Sequence, residues 1–183
     1  GVSTMGNGIF RPAQGLTNGA NGVQVPGEIT PQEFKNVFRK HSAGVVVITA
    51  QVGEKRVGLT ATSVISVSAT PPLLAFSLAA GSSSWPVLRE AETVTLSFLA
   101  ADQQQVAQRF AAKNIDRFAG GGWYSLPGGR IAISNAVAWV SGQILQRIAV
   151  GDSYLITVHA QDHGAPEGDR RSLVYQDRRY FSA

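Results

Sequence analysis

The sequence predicts a mainly β fold, an antiparallel barrel, closed or half-closed, with a few short helices. Three observations predict it. Beyond Gly44 the apolar residues recur with a period of two, tight returns join neighbouring strand segments, and only short stretches of helical period interrupt them. Returns this short leave no room for crossover helices, which disfavours a doubly wound parallel sheet. The 183 residues, 44% hydrophobic and 15% charged, suffice for one well-packed domain and make a two-domain enzyme unexpected.

Residues 1–27 are rich in Gly, Asn, Gln and Pro, have no period, and read as an arm ahead of a domain at 28–183. Two uses stay open for the arm, a flexible extension or a segment packing on a partner subunit. Thr30-Pro31-Gln32-Glu33 then supplies an N-cap threonine, proline at the first helical position and glutamate at N3, which together form a capping box. Phe34, Val37 and Phe38 recur at helical spacing and predict one buried face, with His41 in the last turn and Gly44 as the stop. Strands are expected at 45–51, 57–64, 73–79, 93–99, 136–147, 153–161 and 172–181. Residues 52–56 and 149–152 read as hairpin connections. Short helices are expected near 84–91 and 102–112, the second capped by Asp102 with Val106 and Phe110 on one face. Residues 113–129 read as loop, in which Phe118, Trp123 and Tyr124 surround Gly120-Gly121-Gly122. Those rings either anchor the core, the commoner use, or cover a bound ring.

Composition narrows the chemistry. With no cysteine there is no disulfide, thiolate metal site, iron–sulfur cluster or cysteine nucleophile, so redox work needs a bound cofactor. No apolar run reaches the roughly 18 residues that span a bilayer, and the N-terminus shows no secretory pattern, so no membrane is expected and the location expected is cytoplasmic. The net charge of +4 is scattered instead of forming a basic stripe, and no nucleic-acid partner is expected. His159, Asp162 and His163 form a loose cluster at a strand end, read as solvated, with no metal expected.

The run Gly58-Leu59-Thr60-Ala61-Thr62-Ser63 sets hydroxyls and a small side chain on a strand edge, which suits the polar rim of a flat heterocycle. Ser82-Ser83-Ser84 lies ahead of a helix, where it reads either as a simple N-cap or as an anion site at the positive end of the helix dipole. A flat ring joined to a phosphate, as in a flavin, meets both.

In order and spacing, further segments carry a resemblance. They are Phe34-Lys35-Asn36-Val37-Phe38, Gly44-Val45-Val46-Val47-Ile48-Thr49, the threonine-rich run with Ser66-Val67-Ser68 and Pro71-Pro72-Leu73, and Ser83-Ser84-Trp85. They continue with Ala107-Gln108-Arg109-Phe110-Ala111, Asp116-Arg117-Phe118-Ala119-Gly120, Gly151-Asp152, Leu173-Val174-Tyr175 and Arg179-Tyr180-Phe181. From about residue 30 to 182 the chain resembles the flavin reductase-like family, the reductase components of two-component flavin-dependent monooxygenases. The resemblance implies an FMN-binding split barrel that forms a homodimer, with NAD(P)H-dependent reduction of FMN or FAD, NADH being the preferred donor, and delivery of reduced flavin to a monooxygenase. It also implies cofactor-binding roles for Thr60, Ala61, Thr62 and Ser63 along the ring, Leu78 and Ala79 beside it, Ser83 and Ser84 at the phosphate, and Phe110. No side chain is expected to be catalytic, because hydride transfer depends mainly on stacking two rings at about 3–3.5 Å. Asp152 and Ser153 are the expected substrate-binding residues. Many members of the family carry histidine where this chain has Ser153, which leaves the hydride donor's side less clearly marked than the flavin's.

Overall fold

The computed structural model describes residues 26–166 and 168–183, so the expected arm lies almost wholly outside the described residues. In chain order the elements are α1 (Pro31–Phe38), β1 (Ala43–Gly44), β2 (Val46–Val52), β3 (Lys55–Ala61), β4 (Ile65–Ala69), β5 (Pro72–Ala79), α2 (Trp85–Leu88) and β6 (Thr93–Phe98). They continue with α3 (Gln104–Arg109), β7 (Trp123–Ser125), β8 (Ile131–Ile133), β9 (Ala138–Val150), β10 (Ser153–Gly164), β11 (Leu173–Gln176) and β12 (Arg179–Ser182).

Seven strands form one antiparallel sheet in the order β3-β2-β6-β9-β10-β5-β4. β3 and β4 follow one another in sequence yet stand at opposite ends of the sheet, so the curled sheet stops short of closing. This is the expected split barrel. The Ser63 hydroxyl lies at the split, accepting from Ser77 N at 3.1 Å and donating to Ser77 O at 3.0 Å. One side chain thus ties the β3–β4 connection to β5.

β2 lies between β3 and β6, and its Val-rich sequence follows from burial on both faces. Val46, Ile48 and Ala50 join Phe76, Leu96 and Ile156 inside the barrel. Val47, with Val45 just before the strand, packs into a second core with Leu99, Phe110, Ile133 and Leu173 outside it. The predicted hairpins at 52–56 and 149–152 are both present, turning at Gly53 and Gly151 with φ of 59° and 57°. Those left-handed values suit glycine.

Several expectations change. The capping box forms, with Glu33 N to Thr30 Oγ1 at 3.1 Å and Thr30 N to Glu33 Oε1 at 3.0 Å. The face it was expected to bury is exposed, since Phe34, Val37 and Phe38 all lie on the surface of the chain. α1 ends at Phe38, which leaves His41 beyond it, edge-on to the Phe38 ring at 6.1 Å, and puts Gly44 in β1. Asp102 does not cap α3; Gln103 holds that position. The Gln103 side chain accepts from Ala100 N at 2.9 Å and donates to Ser134 O at 2.7 Å. The span 172–181 is two strands, divided at Asp177 and Arg178, whose φ of 51° and 60° make a tight turn. β1, β4, β7 and β8 were not foreseen. Phe118 and Trp123 serve the second core, each edge-on to the next from Phe110 outward at 5.3 and 5.7 Å, while Tyr124 is exposed.

Candidate functional site

A cavity of about 770 Å³ opens beside the first half of β3. Its wall brings together the start of β3 (Arg56, Val57, Gly58), the end of β5 (Ala79), the turn Ser82–Ser84 and the loop 111–118. Three segments far apart in sequence therefore meet around one space.

The loop is held by Arg117, whose Nη1 donates to Gly58 O at 2.7 Å and whose Nε donates to Ala112 O at 3.0 Å. Desolvation by burial lowers its pKa from the ordinary arginine value, and a guanidinium stays charged in a protein. Lys113 and Arg56 add two further cations to the wall, Arg56 lying over the Trp123 ring at 4.9 Å. Asp116, the acidic residue of this wall among the described residues, turns one carboxylate oxygen to Phe118 N at 3.0 Å. The wall is therefore rich in donors and positive in charge. Gly58 admits no side chain: a Cβ there would come within 2.6 Å of the buried Phe110 ring.

The serine turn supplies hydroxyls more than backbone donors. Ser82 N bonds to Ala79 O, Trp85 N to Ser82 O and Ser84 N to Ser82 Oγ, so these amides are used by the turn itself. α2 is a single turn of four residues and presents no extended helix dipole. Ser83 is exposed on the rim, whereas Ser84 occupies the N-cap position of α2 without a side-chain cap bond and is almost completely buried.

The other expected residues divide by position. Ala79 lines the cavity beside Ser83 and Ser84. Thr62 and Ser63 line a second cavity, together with Ser77, and not the first. Thr60 turns towards α3, its hydroxyl donating to Ala107 O at 2.6 Å and its N–H to Phe110 O at 3.3 Å. Ala61, Leu78 and Phe110 are buried in the cores and support the site from behind. Asp152 and Ser153 form the β9–β10 return, with the Ser153 hydroxyl on Asp152 Oδ1 at 3.2 Å. Ser153 pairs with Ala79 across the β10–β5 ladder, and paired residues share a face, so Ser153 stands beside the small residue that floors the cavity. Asp162 is taken by Arg130 at 3.0 Å, which lowers its pKa and draws it away from His163 as a ligand.

Arg56, Lys113 and Arg117 were not anticipated as site residues. Their signal was present as two cations four apart in Lys113-Asn114-Ile115-Asp116-Arg117, with Asn114 at φ 60° turning the loop back. A loop with no period hides which side of it faces a cleft.

The donor set fits a flavin mononucleotide moiety. The cations and serine hydroxyls answer a phosphate, and Ala79 leaves a flat ring free to approach β5.

Comparison with known proteins places this geometry. The family model described as "Flavin reductase like domain" matches residues 38–183. An "NADH:FMN oxidoreductase" of Rhodococcus erythropolis is 36% identical over 155 residues, covering 81% of this chain and 80% of that protein. The crystal structure of a flavin reductase domain protein from Arthrobacter sp. FB24 superposes with a TM-score of 0.80 at 32% identity, covering 84% of this chain and 96% of that one. A nitrilotriacetate monooxygenase component B homologue from Mycobacterium thermoresistibile gives a TM-score of 0.79 at 25% identity, over 83% and 86% of the two chains. With its split barrel, its donor-lined cavity and these matches, the chain belongs to the flavin reductase-like family.

Proposed function

We propose that this protein transfers hydride from NADH to FMN or FAD and releases the reduced flavin to a separate flavin-dependent monooxygenase, working as a cytoplasmic homodimer. The observation that carries the reading is the meeting of Arg117, Lys113 and the Ser82–Ser84 turn around one cavity whose floor, Ala79, pairs with Ser153. The similarity to an NADH:FMN oxidoreductase supports the donor and the acceptor, and the similarity to a monooxygenase component supports the recipient.

When bound, the flavin supplies a ring whose N5 accepts hydride from the nicotinamide C4. The protein's part is positioning. Arg117 and Lys113 offset the phosphate charge, and Ser82 and Ser83 donate to its oxygens. Arg117 is already fixed on two carbonyls, so little ordering is left for the moment of binding. Ser63 ties the β3–β4 connection to β5 through both polar groups of Ser77, two residues before Ala79. Ala79 leaves the space above β5 open for two stacked rings, and Ser153 offers a hydroxyl to the donor's carboxamide. Thr60, Ala61 and Leu78 hold the backbone that the ring edge meets.

Ser153 in place of the family's histidine favours one second reading, a flavin-binding protein that does not turn over NADH. Following NADH absorbance with FMN and with FAD separates the two. Flavin-dependent oxidation well above background is expected, and none with either flavin would overturn the reductase reading.

A further inference from the structure

A second cavity, of about 850 Å³, lies where the end of α1 meets the β11–β12 turn and the β3–β4 connection. Its walls are joined by one backbone and one side-chain hydrogen bond: Asp177 N donates to Arg39 O at 2.6 Å, and Gln176 Nε2 donates to Lys40 O at 2.9 Å. Lys35, Arg39 and Arg178 line this space together with one carboxylate residue, Asp177. Neither Lys35 nor Arg178 makes an ion pair among the described residues. The cavity thus holds an uncommitted double positive charge on a prebuilt frame.

Thr62, Ser63 and Ser77 also line it, Ser63 being bonded to Ser77. Ser77 and Ala79 project from the same face of β5 and are separated by about 7 Å of strand. A donor whose nicotinamide rests over Ala79 and beside Ser153 can therefore run along β5 and bring its bridging phosphates to this cavity. The flavin phosphate already has its own cations at Arg117 and Lys113, which leaves this second set for the other nucleotide.

We propose that this cavity binds the pyrophosphate of the pyridine dinucleotide, with Lys35 and Arg178 as its cations. The proposal rests on the reductase reading above. It adds a site for the donor that is separate from the Asp152–Ser153 turn.

The test is steady-state kinetics of the full chain carrying Lys35→Gln together with Arg178→Asn, asparagine being tolerated at the turn's positive φ. Two donors are compared, NADH and N-benzyl-dihydronicotinamide, which carries hydride but no phosphate. The KM for NADH should rise about tenfold and depend less steeply on salt. The KM for FMN and the rate with the benzyl donor should stay as in the wild type. ADP-ribose should compete with NADH and lose affinity by a similar factor in the variant. An Arg89→Ala control removes an exposed cation paired with Glu90, outside either cavity, and should change none of these.

An NADH KM within twofold of wild type in the double variant overturns the proposal. So does an equal loss with both donors, or a halved mass in sedimentation, either of which assigns these residues to folding or to a subunit contact. If the wild type oxidises neither donor in the presence of flavin, the reductase reading fails instead. ADP-ribose calorimetry on wild type and variant then still decides whether the cavity binds a pyrophosphate.

Discussion

The guanidinium of Arg117 bonds to carbonyls from two different segments, Gly58 and Ala112, and so fixes the loop wall of the first cavity while carrying charge. Replacing it by Met keeps the apolar stem and removes both bonds and the charge. The KM for FMN should rise about tenfold or more in NADH-oxidation assays, by analogy with the loss of a charge-assisted hydrogen bond. An unchanged KM would place the phosphate elsewhere. Gly58 limits the same wall from below. In Gly58→Val the new side chain meets the Phe110 ring, and the expected cost is about 1–3 kcal/mol, read as a lower denaturation midpoint. At this scale the sequence carried the hydroxyls better than the cations. Ser83 and Thr62 stand out because serine and threonine cluster beside strands, whereas Arg117 sits in an aperiodic loop where nothing local says that it folds back onto β3.

Element by element, local signals were legible and their environments were not. The capping box of α1 forms as read, because it needs only residues three apart. What covers the apolar stripe is a tertiary matter, and Phe34, Val37 and Phe38 are exposed in the single chain. Because α1 buries no residue, Thr30→Ala should act locally. The loss of about 1 kcal/mol of cap energy should speed amide exchange in residues 31–38 and leave the main unfolding transition in place. The β11–β12 hairpin looks like one strand in the sequence because Asp177-Arg178 carries no glycine or asparagine to mark its left-handed turn. That hairpin brings Tyr180 beside Tyr175, with ring centroids 5.1 Å apart. Desolvation first, then the neighbouring Tyr175, raises the Tyr180 pKa above its ordinary 10.0. A raised folded-state value means that the contribution is intact below the unfolded pKa and is lost as pH climbs through the folded one. Denaturation midpoints should fall above about pH 10, and Tyr180→Phe should flatten that slope. Equal slopes in both proteins would contradict it.

For the whole molecule, the split and the outer face of the sheet belong to one design. The barrel class was legible because alternation and hairpin returns are local, whereas the split depends on which strands fail to pair, a long-range property. Across the β10 ladders, Ser153 shares its face with Ala79 and Val150, and Leu155 shares it with Ser77 and Ile148. Hence the cavity floor and the exposed Ile148 and Val150 lie on one continuous surface. Such a surface is half binding site and half apolar patch, and a second copy seated on it would shelter both. The homodimer is therefore expected to be joined through this face, with the flavin close to the joint. Ile148→Asp with Val150→Asp places two charges there without touching the cavity wall. Sedimentation should shift from dimer to monomer, and FMN affinity should fall with it, because the ring loses its cover. A monomer that binds FMN as tightly as the dimer would separate assembly from the site, and a variant that stays dimeric would move the interface to another face of the barrel.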